Sequence, residues 1–169
     1  MPFSQTLLPE FDQEMANTRK ILERVPDEKL DYRPHPKSMS LARLATHIAE
    51  LPHWATMTID QDLLEMQPGY EPHIARSHAE LLEIFDKSVA EARPKIEAAT
   101  DEHWHQTWTF KYAGQIVLAL PRAAVMRMVV MNHLIHHRGQ LSVFLRLNDV
   151  AIPGMYGPSA DDAAFSAAG

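Results

Sequence analysis

The stretch RAAVMRMVVMNHLIHHRGQLSVFLRLN, residues 122–148, decides how the rest of the chain is read. Its apolar residues recur at helical spacing over the length of a core helix. At about 100° per residue, Met126, Val129, Val130, Phe144 and Leu147 all fall within roughly 60° of His133. His137 lies about 40° from His133, one turn along. The stripe expected to face the interior therefore carries His133 and His137 near its middle. Arg127, Arg138, Ser142 and Arg146 fall on the opposite side, where solvent or, for Arg138, an acidic partner is expected. His136 lies about 60° to the other side of His133, on the flank.

Two imidazoles four apart on an apolar face have two readings. In one they are core residues with hydrogen-bond partners. In the other they point at one metal ion, since neutral imidazole is the commonest nitrogen ligand. Two ligands are too few, so the second reading requires a third from elsewhere.

The chain has 169 residues, 46% hydrophobic and 22% charged, which suits one soluble domain with a sizeable core. The expected unit is residues 1–162, with 163–169 as a frayed tail. No apolar run reaches the roughly 18 residues of a membrane span. The N-terminus lacks a basic region followed by an apolar block, so the cytoplasm is the expected location. There are no cysteines, which excludes disulfides, thiolate ligands and a Cys nucleophile. The net charge is −6 and the basic residues are scattered, which argues against a nucleic-acid partner. Ten histidines justify a search for ligand clusters.

Before the long stretch, three further helices are expected. The first spans about residues 6–25, with Leu7, Phe11, Met15, Thr18 and Leu22 at spacings of three and four. The second starts at Ser38 or Ser40 and runs to about Ile59. Its apolar face is Leu41, Leu44, Ile48, Leu51, Trp54, Ala55 and Ile59, with His47 at the edge and His53 pointing away. Pro52 is expected to kink it, because a proline cannot donate to the Ile48 carbonyl. The third spans about residues 77–99, with Ser77 and Glu80 as a capping box and Pro94 as a late kink or break. Residues 101–120 do not read as helix. Thr107 to Tyr112, Ala113-Gly114 and Gln115 to Leu118 are expected as a short hairpin or an extended crossover. The sum is an all-α protein, a four-helix bundle with a long connection, possible hairpin included, before its last helix.

In a bundle, metal sites are built from side chains on facing helices. His47 then supplies the missing third ring beside His133 and His137. Three His ligands with an open position make a catalytic type of site, whereas structural zinc is closed by four protein ligands. Leu134, not a glutamate, follows His133, so the His-Glu-x-x-His arrangement of metalloproteases is excluded.

Three segments carry a family resemblance: LARLATHIAELP (residues 41–52), NHLIHHRGQL (132–141) and PGMYGPS (153–159). Together they resemble the DinB-like family, also called the DinB/YfiT four-helix bundle superfamily. The resemblance implies a divalent metal, zinc or nickel, on three histidines that map to His47, His133 and His137, and it implies a homodimer. Similar proteins include thiol-dependent S-transferases, an isomerase and proteins described as metal-dependent hydrolases. The expected function is thus metal-dependent chemistry on a small molecule, with a low-molecular-weight thiol as a candidate co-substrate. The alternative is a non-catalytic metal- or ligand-binding stress protein.

Supporting residues follow from position. Glu50, one turn from His47, is a candidate proton acceptor or a solvated helix residue. His136 is a candidate ligand-orienting group or a flank histidine. Asn132 and Gln140 neighbour the ligand pair, and either can hold a ring through its second nitrogen. Tyr156 is a candidate substrate contact if the C-terminal loop covers the site, and otherwise a plug for the bundle end. Trp54, Trp104 and Trp108 are expected as core or pocket wall.

Overall fold

The computed structural model describes residues 1–162, so the tail expected at 163–169 lies outside the described residues. Four helical rods form the body. The first three are α1 (Phe3–Leu22), α2 (Leu41–Asp60) and α3 (His78–Ala98). A short helix α4 (Asp101–His105) and three strands come next to them: β1 (Leu63–Met66), β2 (Thr107–Tyr112) and β3 (Gln115–Pro121). The fourth rod runs from α5 (Arg122–Val125) through a π-helical segment (Met126–Met131) into α6 (Asn132–Arg146). Among the described residues no helix is long and apolar enough to cross a membrane.

The expected helix signals act where the sequence places them. Leu7, Phe11, Met15, Thr18 and Leu22 are all buried on α1. Ser40, not Ser38, caps α2 by accepting from the Arg43 N–H. Ser77 caps α3 by accepting from Glu80 N–H, and the Glu80 carboxylate reaches back to Arg76 N–H at 2.7 Å. Helix α3 passes through Pro94 without a break, and α2 through Pro52.

Two features correct the all-α expectation. The hairpin is present, with β2 and β3 antiparallel, and its turn places Ala113 at φ 49 and Gly114 at φ 79. Two successive positive φ angles are what a tight hairpin with right-handed strand twist needs. The unexpected member is β1, which pairs parallel with β2, Leu63 opposite Thr109 through Met66 opposite Tyr112. The fold is therefore mostly helical with a small three-stranded sheet. Trp54 of α2 meets Phe110 of β2 edge-on at 6.0 Å, which seats the sheet against the helix. The helix α4 was also not expected; Thr100 caps it by accepting from His103 N–H. Its Trp104 is fully buried, with the indole N–H donating to Ser4 Oγ at 2.8 Å.

The largest correction concerns the last rod. Downstream of the π segment the buried positions are Leu134, His137, Arg138, Leu141 and Leu145. Leu147, placed on the inner stripe by a uniform helical phase, is 57% exposed, and Arg138, placed outside, is buried. An i→i+5 turn takes up one residue more than an α turn, so everything after it lags by about 100°. The interior-facing line of α6 thus runs roughly 110° from His133 and 70° from His137. The two histidines sit on its flank, not at its centre.

Arg122 holds the start of this rod to the end of α2. Its guanidinium, 1% exposed, donates to the Thr58 carbonyl at 2.8 Å, the Gln61 carbonyl at 3.1 Å and Asp62 Oδ1 at 2.5 Å. With Gln106 Oε1 at 3.3 Å as well, this buried cation has four oxygen partners; it is an anchor, and it sets how α2 and the last rod lie side by side.

Candidate metal centre

Helix α2 carries His47 half-buried beside its apolar face, and α6 carries His133 and His137 on the flank turned toward it. His133 Nε2 lies 2.8 Å from His137 Nε2 and 3.3 Å from His47 Nε2. The three rings meet in pairs at centroid distances of 4.6 to 5.0 Å. Ligand atoms of all three lie within 4.8 Å of one another, close enough to hold one metal ion.

The second nitrogens are committed elsewhere. His133 Nδ1 faces the Val129 carbonyl at 3.3 Å, and His137 Nδ1 faces Gln140 Oε1 at 2.7 Å. Both partners are acceptors, so each ring places its proton on Nδ1 and its lone pair on Nε2. Burial holds His133 and His137 below the usual imidazole range, against the opposing pull of those two hydrogen bonds. Burial, then His137, His133 and Arg43, hold His47 down to about 3. All three rings are therefore neutral near pH 7, the form that binds metal. Lone pairs turned toward one another repel unless a cation lies between them. Metal–nitrogen bonds of 2.0–2.1 Å in a tetrahedron imply nitrogen–nitrogen edges of about 3.3 Å. The His47–His133 edge matches this, and the His133–His137 edge is shorter by about half an ångström. The donor set fits a divalent ion of the zinc type.

Beside the cluster lies a cavity of about 960 Å³. His47 belongs both to the cluster and to the cavity wall. Trp54, Met57, Leu64 and Ile84 supply apolar wall, and Arg43 and Glu50 stand on the same face of α2 as His47. The loop after β1 closes the far side with Gln67 to Tyr70 and Pro72. Thr46, next to His47, accepts from Ala75 N–H at 2.9 Å and so ties that loop's end to α2.

The other expected site residues divide. Glu50 lines the cavity; burial raises its carboxyl above the usual range, against the charges of Arg43, His73 and His53. Gln140 holds His137, whereas Asn132 is exposed. His136 is exposed, with its ring edge-on to His137 at 4.9 Å. Tyr156 is 68% exposed, and its hydroxyl donates to Glu14 Oε2 at 2.8 Å and accepts from Arg138. That bond pins the C-terminal loop to α1 and α6. Trp104 and Trp108 are buried core and Trp54 is cavity wall, as expected.

Two residues escaped the sequence reading. Arg138 is expected to face solvent or an acidic partner; the acidic partner is Glu14 at 2.5 Å, and what the sequence did not show is that the side chain is only 3% exposed. Arg43 was not singled out at all. Its signal was available, because it lies one turn before His47 on the same helix face.

Comparison with known proteins gives the family and the fold. The family model described as the DinB family matches residues 1–168. A protein of Bacillus subtilis (strain 168), the uncharacterized protein YrdA, is 24% identical over 156 residues, covering 92% of this chain and 89% of its own. A DinB-like protein from Bacillus cereus ATCC 10987 superposes with a TM-score of 0.70 at 23% identity, covering 88% of this chain and 95% of its own. The DinB-like protein YjoA from Bacillus subtilis gives 0.67 at 19% identity, with 89% and 96% covered. At these identities the two structures speak for the fold.

Proposed function

The chain belongs to the DinB family, and from that premise we propose that it is a metal-dependent enzyme acting on a small molecule. His47, His133 and His137 hold one divalent ion, zinc or nickel, through Nε2. The observation that carries this reading is three neutral imidazoles with their Nε2 atoms gathered together and two Nδ1 protons already committed. No fourth His, Asp or Glu joins the group among the described residues, which leaves a coordination position for a reactant. A divalent ion there supplies Lewis acidity and draws the proton of a bound thiol or water toward release near neutral pH.

The protein's own residues do the rest. Gln140 and the Val129 carbonyl fix two rings in the ligating tautomer. Trp54, Met57, Leu64 and Ile84 exclude water from the cavity in which the small molecule sits. Thiol transfer to an electrophile is the first reading, because a thiol at such a centre needs no separate base. Hydrolysis is the second, and Glu50 favours it: a half-buried carboxyl of raised proton affinity at the cavity wall can hold the proton taken from water. His136 and Tyr156 have smaller parts in this proposal, His136 steadying the His137 ring and Tyr156 anchoring the loop. A homodimer in the cytoplasm, with no nucleic-acid partner, completes it.

Metal analysis of protein purified without a histidine tag tests the core. Wild type is expected to hold about one ion per chain, and His47→Ala and His137→Ala to lose it. Wild type without stoichiometric metal after growth and dialysis with either zinc or nickel overturns the reading.

A further inference from the structure

Arg43 is unlike the other shielded arginines of this protein. Arg122 and Arg138, both buried, spend their donors on carbonyls and carboxylates. Arg43 lines the cavity one turn before His47 and has no hydrogen bond from its guanidinium to any described residue. Its Nη1 is shut off from solvent without an acceptor. The one counter-charge is Glu50, whose Oε2 lies 4.0 Å away, beyond hydrogen-bond reach. Arg43 Nε and Nη2 are also without a partner among the described residues but are not shut off from solvent, so that edge of the planar guanidinium is open to a guest beside the metal centre.

We infer that Arg43 is the substrate-anchoring residue of this cavity, and that the small molecule bound there carries a single carboxylate. The inference rests on the metal-enzyme reading for the position of the reacting end, but not for the anchoring itself. The fork matches a carboxylate in two parallel hydrogen bonds. Lys87 is the other cation on the cavity wall, and Glu50, Glu65 and Glu91 outnumber the two cations, so a group of higher charge is repelled while one negative charge is met by the Arg43 fork. The apolar wall of Trp54, Met57, Leu64 and Ile84 suits a hydrocarbon body between the carboxylate and the metal-facing end.

Calorimetry with 3-mercaptopropionate and its neutral amide, 3-mercaptopropanamide, tests this on untagged protein, zinc-loaded and after chelation. Wild type is expected to prefer the carboxylate by about tenfold or more. Arg43→Gln brings the ratio near one with zinc content unchanged. Arg43→Lys, which keeps the charge but not the fork, retains part of the preference and serves if the first variant folds poorly. Glu50→Gln raises the preference. Chelation weakens both thiols and leaves their ratio intact; a chain that never holds zinc yet keeps the ratio supports the anchor and sinks the metal reading. Equal binding of the two thiols by zinc-loaded wild type, no binding of either, or an unchanged ratio in Arg43→Gln overturns the anchor and spares the metal. Displacement by inorganic phosphate in preference to acetate also overturns it.

Discussion

His137 and Arg138 are neighbours on α6, and each belongs to a polar cluster of a different kind. The cluster of Arg138 is complete. Its guanidinium donates to the Glu14 carboxylate at 2.5 Å, the Glu14 carbonyl at 3.1 Å and Thr18 Oγ1 at 3.0 Å, and also to the Tyr156 hydroxyl. Tyr156 closes the ring by donating to Glu14. The cluster of His137 is of the other kind: three Nε2 atoms gather with no fourth His, Asp or Glu joining them among the described residues, and Arg43 Nη1 beside them finds no acceptor there. Burying polar groups costs free energy unless they are paired. A completed cluster therefore reads as scaffold, and an uncompleted one at a cavity reads as a place for a guest.

The comparison is broken most severely on the complete side. Arg138→Ala leaves the Glu14 carboxylate buried without its cation, and is expected to cost about 3–5 kcal/mol in urea unfolding. A loss below about 1 kcal/mol would mean that Glu14 and Tyr156 find other partners and that the cluster is not scaffold. The incomplete side should respond the other way. Gln140→Ala frees the His137 ring, and is expected to weaken zinc binding about 10- to 100-fold while leaving metal-free stability nearly unchanged. Competition with a zinc-sensitive dye checks the first part and denaturant unfolding of chelated protein the second. The smallest effect concerns Glu50. Its folded-state proton affinity is raised by burial, so the protonated form is the one the fold favours. Its contribution to stability is complete below the ordinary carboxylate range and fades as pH rises through the raised value. Glu50→Gln should flatten that part of the stability–pH curve of the metal-free protein; a curve that keeps its slope removes the case for Glu50 as a proton holder.

The three ring positions were legible in the sequence because spacing and chain motif both point at His47, His133 and His137. The helix caps at Ser40 and Ser77 were legible for the same local reason, each bond closing within three residues. What was not legible is nonlocal or phase-dependent. Strand β1 is four residues long, and its partner β2 begins more than forty residues later, so no local pattern announces it. Arg138 was misplaced because one helical phase was carried through residues 126–131, where the backbone changes its step. Helix α4 was missed although Thr100 followed by Asp101 and Glu102 is an adequate start signal. The place of Arg43 one turn before His47 is legible in the sequence, but the property that sets it apart, a donor shut away without an acceptor, exists only in three dimensions.

The π-helical turn from Met126 to Met131 sets the rotation of everything after it. It makes the aim of His133 and His137 a matter of chain length, independent of which amino acids are displayed. Deleting one residue there would leave a good helix with the same composition, yet rotate its C-terminal half by about a quarter turn and swing His133 and His137 away from His47. A gain or loss of a single codon, with no change at any ring, is enough to switch such a centre off, or to build one from a helix that had none.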